Sequence, residues 1–278
     1  MSTTDQPTTS RHAARSPETS APGPSFGRVV RSEWIKFTTL LSTWILLAVT
    51  VLLTAGLPIL FASLFGTLPA ARRGQIAQGG LDSIVFNGLS LAQLIIGVLA
   101  VLFLSSEYST GMIRSTMTAV PARLPVLGAK ALIVAVVSYV TTTVSVFVAA
   151  AVAGPILAGY GAGISLTGDV VRSYLLAGVY VAGIALIGLA LAELVRNSAG
   201  GITSLAGLIF VVPIVFALIP VDFFTQVGKY LPGSAGRQLY AASVVGDELT
   251  QVQGGLVLAA WVVVLLVGAV VSLKRRDV

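Results

Sequence analysis

Between Leu91 and Val140 the chain reads "LAQLIIGVLAVLFLSSEYSTGMIRSTMTAVPARLPVLGAKALIVAVVSYV", an apolar run, a polar segment and a second apolar run. Each apolar run extends beyond this stretch, back to Ile84 and on to Val152, and is then long enough, at 1.5 Å per helical residue, to cross about 30 Å of hydrocarbon. The polar part from Ser105 to Arg123 is patterned to fold. Ser105 or Ser106 can cap a helix whose first turn holds Glu107, a favourable charge at the positive end of a helix dipole. Met112, Ile113, Thr116, Met117 and Val120 recur at helical spacing, and Pro121 marks the stop. Gly111 weakens such a helix by about 1 kcal/mol relative to Ala. The spacing therefore predicts a short helix between two spans, with a small apolar stripe beside Glu107, Arg114 and Arg123. Such a stripe either docks another protein or packs on the bundle and the headgroups.

Outward from this stretch the whole chain has the same character. Of its 278 residues 55% are hydrophobic and 10% charged, with a mean hydropathy of +0.93. A soluble fold of this size needs more charge to cover its surface, so the composition predicts an all-α integral membrane protein. Six apolar runs of roughly 18 to 22 residues satisfy the length requirement, near Trp44 to Phe65, Ile84 to Leu104, Ala131 to Val152, Ser173 to Leu194, Gly201 to Ile219 and Gly254 to Leu273. Residues 1–24, rich in Ser, Thr, Pro and Ala, read as a disordered tail without the basic start and close apolar run of a signal peptide. Residues 25–278 read as one six-span transmembrane domain. Six spans put both termini on one side. That side carries twelve Lys and Arg against five on the other, which predicts that it is cytoplasmic. The net charge of +6 is thus the signature of membrane orientation and not of nucleic-acid binding.

Before the first span, "FGRVVRSEWIKFTTLLSTW" places Phe26, Val29, Val30, Trp34, Phe37 and Leu41 on one helical face. Arg28, Arg31 and Lys36 fall elsewhere on the wheel. This predicts an amphipathic elbow helix lying in the cytoplasmic headgroup layer against membrane lipid. Between the fourth and fifth runs, "ELVRNSAG" supplies a second cytoplasmic loop with Glu193 and Arg196. The segment from Pro220 to Gln253 is too long for a turn and has interface aromatics, which predicts short interfacial or re-entrant helices.

The run "SSEYSTGMIRSTMTAVPARLPVLGAKAL" resembles the first cytoplasmic loop of ABC-2 type (type II exporter) permeases, with Glu107, Tyr108, Gly111, Ile113, Arg114, Thr116, Pro121, Arg123, Leu127, Ala129 and Lys130 at the positions of its pattern. "RSEWIKFTTLLSTW" is similar to the elbow of such permeases, "ELVRNSAGGI" to their second cytoplasmic loop, and "KYLPGSAG" to their segment before the last span. The resemblance implies the permease subunit of an ATP-driven exporter. It implies that Glu107, Tyr108, Gly111, Met112, Ile113, Arg114, Met117 and Arg123 form a coupling helix against a separate ATPase subunit, and that two six-span halves pair as a homodimer or with a paralogue. ATP and magnesium would be held by the partner, since this sequence has no phosphate-loop motif and no cofactor signature of its own.

Other classes compete. A membrane enzyme acting on lipids needs paired carboxylates, a metal cluster or an activated nucleophile; Asp247 and Glu248 adjoin in sequence and are read as lacking a histidine or nearby basic partner, and the chain has no cysteine. A non-transporting membrane component of a sensory or immunity complex could keep the same loop. No ionisable residue falls near a predicted span centre, where charge costs about 2.5 to 3.5 kcal/mol, so proton coupling has no evident relay. Gln93, Ser90, Tyr139, Thr141, Thr142, Thr143, Tyr174 and Tyr180 either line a path or hydrogen-bond between helices.

Overall fold

The computed structural model describes residues 25–78, 82–109, 123–161, 163, 166–241 and 246–275, and these are helical with no strand among them. We number the helices α1 (Phe26–Thr39), α2 (Leu41–Thr67), α3 (Ala70–Gln78), α4 (Asp82–Val85), α5 (Leu89–Ser109), α6 (Arg123–Ala158), α7 (Gly168–Val195), α8 (Ser198–Leu218), α9 (Asp222–Gly228), α10 (Pro232–Tyr240) and α11 (Gln251–Arg275). Six of them, α2, α5, α6, α7, α8 and α11, are long and apolar enough to cross a membrane. These match the six runs of the sequence, and the protein is a multi-pass helical bundle.

Helix α7 is the centre. Its 28 residues include sixteen that are buried, and it packs on α5, α6, α8, α10 and α11. Small residues permit the closest approaches. A Cβ on Gly188 would lie 2.8 Å from the Gly97 carbonyl oxygen of α5, so the two backbones meet almost directly. By contrast α8 and α11 each bury 17% of their apolar window, leaving long apolar faces outside the bundle. Both α2 and α8 contain a π-helical turn, Leu52–Gly56 and Gly207–Val211, and each is followed by a proline, Pro58 and Pro213. A proline lacks the amide that would continue the ladder, and the wider turn absorbs the lost bond.

Some boundaries move. The third span begins at Arg123 and runs 36 residues to Ala158, with Pro155 in its last turn. The second starts at Leu89 and not Ile84, because a turn at Phe86–Gly88 separates it from α4. Gly88 is required there, since a Cβ would lie 2.0 Å from the Leu53 carbonyl oxygen. Ser105 and Ser106 do not cap a new helix. The span continues through Glu107 and Tyr108 to Ser109, because these side chains find partners within the bundle. Gly111, Met112, Ile113, Arg114 and Met117 lie outside the described residues, and so does the side chain of Arg123, which opens α6.

Candidate functional site

At the end of the bundle that carries α1, two polar clusters meet on consecutive residues of the last turn of α5. The first begins with the amphipathicity of α1. Its buried positions are Val29, Glu33 and Phe37, one residue per turn, so an acid occupies the centre of the apolar stripe. Phe26 and Trp34, expected on the same face, are instead about half exposed, and Arg28 and Arg31 point outward with them. Val29 packs with Val126 and Ala129 of α6, and Phe37 meets Phe103 of α5 edge to face at 5.0 Å. These contacts seat α1 across α5 and α6.

Glu33 is thereby placed against basic partners. Lys36 Nζ donates to Glu33 Oε1 at 2.7 Å and to Glu107 Oε1 at 2.8 Å. Lys130 Nζ donates to Glu107 Oε1 at 3.0 Å and forms an ion pair with Glu33 Oε2 at 2.5 Å. The four groups close a ring of alternating charge, Glu33, Lys36, Glu107 and Lys130, with no net charge. Lys130 is fully buried, its ammonium 4.1 Å above the centre of the Phe103 ring, and Glu33 is 1% exposed. Mutual pairing offsets the cost of taking these four groups away from water. Only Lys36 reaches solvent appreciably. Partial burial would lower its pKa, but hydrogen bonds to Glu107 and Glu33 prevail and hold it above the ordinary lysine value.

The second cluster lies on the other side of α5. The Tyr108 hydroxyl donates to Glu193 Oε2 of α7 at 2.7 Å. Arg196 approaches Glu193 Oε1 at 3.7 Å, stacks over the Tyr108 ring at 5.5 Å, and donates to the Ser272 carbonyl of α11 at 3.3 Å. Arg196 reaches this position because it caps α7 in the left-handed conformation, φ 54°, and Asn197 then caps α8 by accepting from the Gly200 amide at 3.0 Å. Ser105 and Ser198 hydroxyls bond at 2.8 Å alongside. The two clusters join α1, α5, α6, α7 and α11 in one polar layer.

The layer accounts for several residues singled out in the sequence: Glu107, Tyr108, Lys36, Phe37, Glu193 and Arg196 come together, whereas Arg28, Arg31 and Trp34 stay at the surface. Lys36, read from the sequence as lying off the apolar face of the elbow, is a half-buried bridge between Glu33 and Glu107. Glu33 was missed. Its only signal is an acid midway between Val29 and Phe37 at four-residue spacing, and that signal is uninformative without its distant lysine.

Farther along the spans, the Tyr180 hydroxyl of α7 donates to Gln93 Oε1 of α5, and Thr142 and Thr143 are buried inside the bundle. The first of these bonds α7 to α5, whereas the Thr142 and Thr143 hydroxyls meet no hydrogen-bond partner among the described residues. At the opposite end, α9 and α10 realise the short helices expected after Pro220. Helix α10 is embedded, with Gly236 against the Tyr180 ring and Ala235 against Gly254. Among the described residues no group of three or more His, Cys, Asp or Glu could hold a metal ion. No model of a known protein family matches the chain, and no curated protein does.

Proposed function

We propose that this chain is the permease subunit of an ATP-driven exporter of the ABC-2 type, working with a separate ATPase and paired with a second six-span subunit. In this reading the termini and segment 110–122 face the cytoplasm, and that segment, with Arg114 on it, receives the ATPase. One observation supports the reading most: the two helices that lead into and out of 110–122 are joined at Glu107 and Lys130, in the same buried ring that holds α1. A push on the segment would reach α1, α5 and α6 through the ring. It would reach α7 and α11 through Tyr108, one residue on. The members of the ring are buried and paired with one another, which would suit it to passing on a displacement.

The test is purification of the tagged full chain from its native membrane, followed by identification of copurifying nucleoside triphosphatases. An ATPase should copurify stoichiometrically. Arg114→Glu should reduce its recovery at least tenfold, as expected when one member of a buried interfacial charge pair is reversed, while leaving the chain inserted. Recovery of the intact chain without any ATPase would refute the reading. An ATPase complex that hydrolyses ATP but moves no substrate class in vesicles would favour the non-transporting sensory or immunity component.

A further inference from the structure

Among the described residues Arg196 is the one residue other than glycine with a positive φ, 54°. That conformation is uncommon outside glycine, and it gathers where a chain has to change shape. Here it ends α7 and sets the guanidinium between two acceptors, one on its own helix and one on α11. Neither is fully engaged. Arg196 Nη2 donates to the Ser272 carbonyl at 3.3 Å, while the charged acceptor, Glu193 Oε1, stays 3.7 Å away. In the ring, by contrast, every ammonium lies within 3.0 Å of its carboxylates. Three polar atoms around the guanidinium are buried and make no hydrogen bond among the described residues: Arg196 Nε, Glu193 Oε1 and Ser272 Oγ.

The donors and acceptors left over fit a second arrangement. A guanidinium meets a carboxylate with two parallel bonds. Rotation of the arginine would bring Nε and Nη2 onto the two Glu193 oxygens, of which Oε2 already accepts from Tyr108 at 2.7 Å and has a further lone pair. The Ser272 carbonyl would then lose its donor. What that carbonyl holds is the last turn of α11, a helix that buries only 17% of its apolar window and meets the bundle at this end through Ala269 and Leu273. Neighbouring ionisable groups are committed elsewhere, Glu107 and Lys130 to the ring and Tyr108 to Glu193, while Lys274 and Arg275 of α11 are exposed. We infer that Arg196 is a two-position latch. On the Ser272 carbonyl it holds the end of α11 to the bundle, and on Glu193 it lets that end go. Both positions belong to this chain alone, so the inference requires neither an ATPase nor a substrate.

The native chain has no cysteine, so spin labels can be placed singly. Leu132→Cys on α6 and Val271→Cys on α11 put them at exposed positions, and double electron–electron resonance on the full chain in detergent reads the distance between them. The otherwise unaltered chain should give two distances, one for each position of the α11 end. Glu193→Gln still accepts from Tyr108 but offers no carboxylate, and should deplete the released population about threefold or more. Arg196→Asn suits the left-handed turn but cannot reach α11, and should shift the populations in the opposite direction. The inference is overturned by a single sharp distance in the unaltered chain, by a Glu193→Gln distribution equal to it, or by shifts of the two variants in the same direction. Melting temperatures identify a variant that has lost its fold, and the unaltered chain then decides by itself.

Discussion

Lys130→Met is the sharpest probe of the buried ring. Methionine keeps most of the lysine stem and can still contact Phe103 through its sulfur, so the packing loss is small and the electrostatic loss dominates. The ammonium serves Glu33 at 2.5 Å and Glu107 at 3.0 Å, and its side chain is fully buried, while those of Glu33 and Glu107 are 1% and 5% exposed. Without it two buried carboxylates share Lys36 alone. Removing one member of a buried pair typically costs about 3 to 5 kcal/mol, because the remaining charge is stranded away from water. Lys36→Met should cost only about 1 kcal/mol, since that side chain is 29% exposed and water can replace part of what it supplied.

The double variant Lys130→Met/Glu33→Gln isolates the electrostatic cause. It restores neutrality around the pair Lys36 and Glu107, and should recover at least half of the loss, a coupling above about 1 kcal/mol. Thermal unfolding of the purified chain, followed by tryptophan emission and by the fraction that stays monodisperse after heating, gives the ranking. The reasoning fails if Lys130→Met is within about 1 kcal/mol of wild type, or if adding Glu33→Gln makes matters worse. Either result would mean that water enters and solvates the carboxylates, and that the ring carries no stiffness.

Gly88→Ala should destabilise strongly, by about 3 kcal/mol or more, since its Cβ would lie 2.0 Å from a carbonyl oxygen of α2 and the backbones would have to part; Gly207→Ala, with nothing within 4 Å, should be tolerated in the same melting assay. Tyr108→Phe removes the 2.7 Å bond to Glu193 and should cost about 1 to 3 kcal/mol, with α7 less protected from hydrogen exchange near Glu193. Because the Lys36 pKa is raised in the fold, its share of stability is complete below the unfolded value of about 10.4 and is lost as pH rises through the folded value; Lys36→Arg should flatten the alkaline limb of the stability profile. In whole cells a cysteine at Ser32 should be labelled by an impermeant reagent only after the membrane is opened, and one at Thr225 without opening it; the reverse pattern would invert the orientation.

What could be read from the sequence, and what could not, divides by the range of the interaction. The six spans declare themselves because lipid demands an apolar residue at nearly every position of a run, a local requirement visible in any window. The break between α7 and α8 is equally local, with Asn197 capping one helix just after Arg196 ends the other. Glu107 is different. An acid after two serines has the local signature of a helix start, and only the lysines at 36 and 130, contributed by α1 and α6, make it the end of a span. The elbow wheel is another case: it set Val29 and Phe37 on the apolar face, and both are buried, but it gave no sign that Glu33 between them is buried too, because Glu33 is held by Lys130 of α6.

Burial of Glu33 follows from its pairing, since an acid this far from water is stable only beside Lys130 and Lys36. Between helices that span a bilayer the apolar gain is small, because lipid tails receive a side chain as readily as a protein interior does, so polar groups weigh heavily in how such helices are turned. The same reasoning explains why the bundle is held at the α1 end by charges and farther along by Gly188 against Gly97 and by Tyr180 bonded to Gln93. Charges can be kept where a helix nears the headgroups, and between those levels only close backbone approach and neutral hydrogen bonds remain. Perturbations in the two zones should therefore differ in kind: salt and pH act on the ring through Lys36, its one partly exposed member, whereas the glycine contacts respond to side-chain volume alone.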